Sequence, residues 1–347
     1  MGRRGPGHRR EGPAGDGSRA GDGRRGVEAA EVGVRVMDRE VALVTGIAGG
    51  LAGQVAHALH DRGYHVVGVD YRALPSASAL PEGTTLVRAH YNKTGIEDVF
   101  RRHRPSLVLH LGRVGNLKEQ LEKRFELNVI GGQKITALCL KYGVRRLVVL
   151  STFHIYGADP MNHTPISEDD PLRAGTEFPE IADAIQLDNH AVNTLYRYPQ
   201  MQTVVLRPCN VVGPGIQNAM SRFLRQPRVP VMMGFDPMVQ LVHERDLISA
   251  ILAVAGGTAI GVFNVAGKSA LPWSAVVDMT GAGRVPVPSS VAFAYLRVAS
   301  LFTSTLPPYL VNFIKHPCVI SDEAFRRTFG WAPQVDEVET VRSTVGG

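Results

Sequence analysis

The sequence predicts an α/β fold: a doubly wound parallel sheet with a smaller C-terminal substrate-binding lobe. Three observations lead there. From Val41 onward, short apolar runs alternate with helical segments, the pattern of strands covered on both faces. A glycine-rich turn, "VTGIAGGLAG", joins the first run to the first helix. The second run, "HVVGVD", ends on a carboxylate, Asp70.

The elements follow in order. "VALVTG" is a strand, and a helix runs from about Leu51 to Arg62. "HVVGVD" and "TTLVRAHY" are the next strands, "IEDVFRRHRP" is a helix and "SLVLHLG" a strand. A long helical region spans about 117–142, followed by the strand "RRLVVLST". In "EFPEIADAIQLDNHAV" and just beyond, Ile181, Ala184, Ile185, Asp188, Ala191, Val192 and Leu195 share one helical face. "TVVLRPCNVVG" and "GVFNVAG" return to strand. The nucleotide-binding core is expected over about 38–213 plus later returning segments, and the lobe mainly over 214–347, within one domain from 37 to 347. Residues 1–36 are Gly/Arg-rich with few apolar side chains and read as a disordered tail; both Met1 and Met37 suit a translation start.

Charge and composition exclude several classes. Half of the net charge of +6 falls in the first 36 residues, and no nucleic-acid-binding motif accompanies it, so no nucleic-acid partner is expected. Cys139, Cys209 and Cys318 lack paired spacing, which suits packed, reduced thiols in a cytoplasm. The apolar stretch 290–314 is broken by Arg297 and by Pro307-Pro308, a poor membrane span. It reads first as two helices packed over the lobe, and second as a greasy lid or membrane-contacting surface. The histidines have no metal-ligand spacing, so no metal is expected. Gly-x-Ser-x-Gly is absent, which argues against a serine hydrolase.

The glycine-rich turn carries the binding argument. Gly46 permits a tight turn, Gly49 lets backbone approach a pyrophosphate, and Ala52 keeps the helix close to the sheet. The helix N-terminus then faces the phosphates, so the whole run Gly46, Ile47, Ala48, Gly49, Gly50, Leu51 and Ala52 is expected on the cofactor. Asp70, with Tyr71 and Arg72 after it, stands where an acid takes the adenosine ribose hydroxyls. A carboxylate there repels a 2′-phosphate and favours NAD over NADP, whereas Arg72 pulls the other way.

These motifs, with "LVLHLGRVG", "FELNVIGG", "VVLSTFHIYG", "VLRPCNVVGPG", "VQLVHERDL", "GVFNVAG" and "FGWAP", resemble the extended short-chain dehydrogenases/reductases of the NAD-dependent epimerase/dehydratase family. The resemblance covers about Val41 to Thr344 and implies a Rossmann domain, bound NAD(P) and a homodimer packed through helices near 117–142 and 179–197. By the same resemblance His110, Leu111, Gly112, Leu150 and Arg207 lie along the cofactor, and Asn128 is a structural asparagine. Thr152 corresponds to the catalytic Ser/Thr, and Asn210 and Gln240 face the substrate.

Two departures bear on chemistry. After the third strand, His90, Tyr91 and Asn92 replace the aspartate that many relatives place near the adenine. The family's YxxxK pair is missing: counting back from Arg207 puts Glu180 at the tyrosine and Ala184 at the lysine. No lysine lies between Lys141 and Lys268, so no change of register restores the pair. A glutamate needs no ammonium to ionise, but it is about 6 pKa units less basic than a phenolate. Glu180 and His154, beside Thr152, are the remaining proton-handling candidates. Two readings therefore stand. One is an atypical NAD(P)-dependent oxidoreductase or epimerase-type enzyme acting on a hydroxyl- or ketone-bearing small molecule, a nucleotide sugar or an apolar metabolite. The other is a catalytically degenerate NAD(P)-binding sensor or partner protein. A non-redox lyase or isomerase on the same scaffold is a third, lesser reading.

Overall fold

Alternation along the strands fixes the architecture, because successive side chains of a strand point to opposite faces. In a computed structural model, residues 39–75, 80–115, 119–288, 313, 316 and 318–346 are described. The expected tail at 1–36 and most of the apolar stretch 290–314 lie outside them. The first half supplies β1 (Val41–Thr45), α1 (Gly50–Asp61), β2 (His65–Asp70), β3 (Thr85–Arg88), α2 (Gly95–His103) and β4 (Leu107–His110). Then come α3 (Leu121–Phe125), a π-helical turn over Glu126–Ile130, α4 (Gly131–Lys141) and β5 (Arg146–Leu150). Two short turns follow: a 3₁₀ turn at Phe153–Tyr156, then α5 (Ala174–Glu177) and a second 3₁₀ turn at Pro179–Ile181. They lead into α6 (Ala182–Arg197) and β6 (Gln202–Pro208).

These strands and β10 form one parallel seven-stranded sheet, ordered β10-β6-β5-β4-β1-β2-β3, once the later elements are placed. Those elements are β7 (Asn210–Val212), α7 (Ala219–Leu224), β8 (Arg228–Met233), β9 (Met238–His243), α8 (Glu244–Gly256), β10 (Gly261–Val265), β11 (Ala270–Pro272), α9 (Trp273–Thr280) and β12 (Gly283–Pro288). The chain closes with α10 (Glu323–Phe329) and α11 (Glu337–Gly346). Strands β11, β9 and β7 make a second, small sheet, and β12 pairs with β8 in a third.

Each face of the main sheet carries its own core. Ala42, Val44, Val66, Leu107, Leu109, Val148, Val204 and Leu206 point to the side covered by α1 and α8. Leu43, Val67, Val69, Val108, Leu147, Val149 and Val205 point to the side covered by α2, α4 and α6. In β2 the expected face-one residue is Gly68, and its missing side chain is replaced by Ile47, whose Cγ1 lies 2.6 Å from where a Cβ would stand. No helix among the described residues is long and apolar enough to cross a membrane.

Three element boundaries differ from the sequence reading. The third strand is shorter, ending at Arg88. The long helical region, where described, begins at Leu121 and carries a π-helical turn that contains Asn128. The helix expected from about 179 starts at Ala182, after a 3₁₀ turn at Pro179–Ile181.

Helix α6 is fastened to the sheet by a buried ion pair. Arg207 donates from Nε and Nη2 to the two carboxylate oxygens of Asp188 (3.1 and 2.7 Å), and both residues are almost fully buried. Its Nη1 donates to the Tyr156 hydroxyl (2.9 Å) and to the Glu168 carbonyl, and Tyr156 in turn donates to Asn264 Oδ1 (2.8 Å). Removing one partner strands a buried charge, which costs about 3–5 kcal/mol, whereas removing both costs far less. Urea denaturation of Arg207→Met should therefore show a loss of that order, and the double variant Arg207→Met/Asp188→Leu should recover most of it.

Candidate functional site

The carboxyl ends of β1, β2 and β4 meet where the sheet order reverses, the place at which doubly wound folds bind ligands. A cleft of about 340 Å³ opens there, lined by Gly46, Asp70, Tyr71, Arg72, Tyr91, Gly112, Arg113, Val114, Gly115 and Glu119. Its floor is backbone. Gly46 adopts φ +77°, and a Cβ on it would fall 2.4 Å from the Gly112 Cα. A Cβ on Gly112 would fall 2.4 Å from the Tyr91 hydroxyl. Gly50 is held equally close by another loop, its absent Cβ 2.2 Å from the Gly215 carbonyl oxygen. Helix α1 begins at this floor with Gly49 as its N-cap, and no side chain caps it, so the first turn's N–H groups are presented to an anion. Leu51 and Ala52 are packed against the sheet, and Ile47 has only its backbone at the turn.

The second strand's acid is buried and fully engaged. Asp70 is 1% exposed, and it accepts from Ala48 N (3.1 Å) and from three groups of Arg72, its N, Nε and Nη2 (2.9, 3.1 and 3.0 Å). Tyr71 stacks on His90 with ring centroids 5.3 Å apart. Tyr91 is buried beneath Gly112, and its hydroxyl donates to the Val69 carbonyl; Asn92 Oδ1 is buried without a protein partner.

Under the cleft, Thr45 Oγ1 accepts from Gly112 N (3.1 Å) and shares a hydrogen bond with His110 Nδ1 (2.8 Å). Burial holds His110 neutral, its pKa pushed down to about 4. Leu111 is core. The π-helical turn presents Asn128, which pairs with the Val114 backbone through Oδ1 (2.8 Å) and Nδ2 (3.1 Å) and also donates to Asp183. Asp183 is ion-paired with the buried Arg124, whose Nη2 also donates to the Glu180 carbonyl. The cleft rim at 113–115 and the start of α6 are thus tied through three buried side chains.

On the far side of the sheet centre, Leu150 ends β5 and Thr152 caps the turn after it. Thr152 Oγ1 lies 2.8 Å from His154 Nδ1 and accepts from His154 N (3.4 Å). The His154 ring packs between Phe153 and Phe313, with centroids 4.2 and 5.0 Å away. That burial pushes its pKa down to about 3, so the imidazole is neutral at pH 7 and holds Thr152 rather than titrating there as the sequence reading expected. Glu180 lies in the 3₁₀ turn, half-buried. Ala184 is enclosed with Ile155, Phe178, Ile181 and Phe313.

Three expected contacts are engaged inside the protein. Arg207, expected on the cofactor, is bound to Asp188 and Tyr156. Gln240, expected on the substrate, exchanges two hydrogen bonds with the Ile320 backbone (3.0 and 3.1 Å). Asn210 donates to the Gln240 carbonyl (3.1 Å). Conversely, Arg113, Val114, Gly115 and Glu119 line the cleft although none of them is expected there from the sequence, and Tyr91, noted from the sequence beside the adenine, lines it too. The rule that ligands sit beyond the strand ends at the reversal point would have drawn 113–115 in, as they follow β4 directly.

Known proteins add to this geometry. A model described as the NAD dependent epimerase/dehydratase family matches residues 42–266. An uncharacterised protein of Mycobacterium tuberculosis is 29% identical over 311 residues, 86% of this chain and 82% of its own length. The short-chain dehydrogenase/reductase family 42E member 1 of Xenopus laevis is 28% identical over 246 residues, 66% of this chain and 62% of its own. Among solved structures, the UDP-glucose 4-epimerase of Thermotoga maritima, in complex with UDP-glucose, superposes with a TM-score of 0.69 at 22% identity, over 88% of this chain and 97% of that one. At such identity the likeness establishes the fold alone.

The buried histidines make stability depend on pH. An imidazole with a folded pKa of about 3 and an ordinary value of 6.5 takes its proton only on unfolding between those values. Its contribution is complete above pH 6.5 and is lost as pH falls toward 3. For His154 the loss between pH 6.5 and 5 is about 2 kcal/mol. Melting temperatures should be level above neutrality and drop below pH 6.5, and His154→Asn, which keeps a partner for Thr152 but does not titrate, should flatten part of that drop.

Proposed function

The chain belongs to the NAD-dependent epimerase/dehydratase family, and from that premise we propose that it is an atypical NAD-dependent oxidoreductase or epimerase-type enzyme of a hydroxyl- or ketone-bearing small molecule. The observation that carries the proposal is the glycine floor of the cleft. Gly46 and Gly112 meet at a distance no Cβ allows, leaving backbone and the uncapped start of α1 open to a pyrophosphate. The residues present fit the cofactor: Gly46 to Ala52 for the phosphates, Asp70 for the adenosine ribose, and the Tyr71–His90 stack beside it. Bound NAD would supply a hydride acceptor.

The protein's own part is positioning and proton handling. The neutral His154 fixes the Thr152 hydroxyl, which holds the substrate oxygen. Glu180, standing in the family's tyrosine position, takes the hydroxyl proton, a weaker base than a phenolate. Ala184, which stands in the lysine's place, is buried in hydrocarbon, and that favours a second reading, a dinucleotide-binding protein without turnover. We further read the chain as a homodimer, with exposed Leu121, Phe125 and Ile130 on α3 and the π-helical turn as its contact.

Incubation with NAD and a panel of secondary alcohols, ketones and nucleotide sugars separates the two readings. Product is followed by mass spectrometry, which also detects redox-neutral epimerisation. Turnover that falls about 100-fold in Thr152→Ala and in Glu180→Gln supports the enzyme. NAD binding with no product across the panel supports the non-catalytic reading, and turnover indifferent to both substitutions overturns the site.

A further inference from the structure

Behind the glycine floor stands a carboxylate that the proposed chemistry does not use. Glu244 opens α8, where the helix dipole favours an acid, and it is 3% exposed. Its Oε1 accepts from Gly215 N (3.1 Å), and its Oε2 is buried with no hydrogen-bond partner. The loop 213–216 is wedged between this side chain and the start of α1. A Cβ on Gly213 would fall 2.6 Å from Glu244 Cγ, and one on Gly215 would fall 2.8 Å from Glu244 Oε2 and 2.6 Å from Gln54 Nε2. The Gly215 carbonyl oxygen in turn sits 2.2 Å from the place of a Gly50 Cβ. Arg225 gathers the loop's other acceptors: Nη1 donates to the Ile216 carbonyl (3.1 Å) and Nη2 to those of Gly213 and Pro214 (3.1 and 3.2 Å). Gly215 therefore links Glu244 to the first turn of α1, with its N–H on the acid and its carbonyl against Gly50.

We propose that Glu244 is a positioning residue for the pyrophosphate floor: one oxygen sets the loop that braces the start of α1, and the other leaves a buried negative charge behind it that restrains affinity for the dinucleotide. The proposal rests on the reading of this cleft as a dinucleotide site. The two oxygens have opposed effects. Losing the acceptor strands the Gly215 N–H, a cost the loop relieves by swinging away to water, and Gly50 then loses its neighbour. The uncapped N–H groups of α1 have to be ordered again when a pyrophosphate arrives. The charge acts the other way. The anionic oxygen lies one residue from the helix terminus that receives the phosphates, and like charges with protein rather than water between them repel. Glutamine separates the two effects. Its carbonyl oxygen still accepts from Gly215 N, it carries no charge, and its NH2 group meets Gln54, whose own amide can turn to accept.

Calorimetric titration of ADP and of NAD into the full chain tests this, with Glu244→Gln and Glu244→Leu as variants. ADP carries the adenosine and the pyrophosphate without the nicotinamide half. Titrations are run well below the melting temperature of each variant, measured alongside. Glu244→Gln should bind both ligands about threefold more tightly than wild type, the scale of removing one like charge several ångströms from the phosphates. Glu244→Leu should bind them about tenfold more weakly, the equivalent of one lost hydrogen bond. A residue that served stability alone would not tighten binding on losing its charge. Glu244→Gln has the shape of the native side chain and retains the fold, so it decides the matter if Glu244→Leu does not fold. Binding by Glu244→Gln that equals or falls below wild type, or undiminished binding by folded Glu244→Leu, overturns the positioning role and leaves the dinucleotide site standing. Wild-type protein that binds neither ADP nor NAD overturns both.

Discussion

Two turns of backbone approach one another closer than any side chain would allow. The turn after β1 and the turn after β4 meet at Gly46 and Gly112, and the hydroxyl of Tyr91 presses against the same point from below. Everything on the cofactor side is referred to this contact. It sets the height of the cleft floor, aims α1 at the opening and places Thr45 so that one hydroxyl can bind both Gly112 and His110. A single Cβ at either glycine would separate the two turns and take the floor apart, because backbone, unlike the end of a flexible side chain, has nowhere to retreat.

The placement of α6 is governed by a different constraint, buried charge. Helix α6 is held at its start by Arg124–Asp183 and further along by Arg207–Asp188, two ion pairs out of contact with water. Such pairs contribute geometry more surely than net stability, since desolvation offsets much of their attraction. Here the geometry matters: Asn128 joins the first pair to the cleft rim at Val114, so the start of α6 cannot shift without disturbing that rim.

What could be read from the sequence was what local pattern encodes. The order of strands and helices, the glycine turn and the acid closing β2 each rest on neighbours within a few residues, and they appear as expected. What escaped depends on partners far along the chain. Nothing near Arg207 announces Asp188 across the α6–β6 connection, and nothing near Gln240 announces Ile320. The family resemblance places both residues on the ligands, and both are tied within the fold. His154 illustrates the same limit. Its identity suggests titration near neutrality, but the Phe313 ring packed on it lies far along the chain and meets it only in the fold.

The core beneath the glycine floor is finished by the last part of the chain. Phe263, from the edge strand β10, and Phe325 and Trp331, from and just after α10, pack in the same cluster as Ala42, Val44 and Val55. Asp246 at the head of α8 is bonded by the backbone of Gln334 and Val335, and the carbonyl of Thr344 accepts from Arg225. The nucleotide-binding half therefore cannot close the α1–α8 side of its sheet with its own residues: without Phe263, Phe325 and Trp331 that side would expose hydrocarbon, so the two halves depend on one another for a finished core.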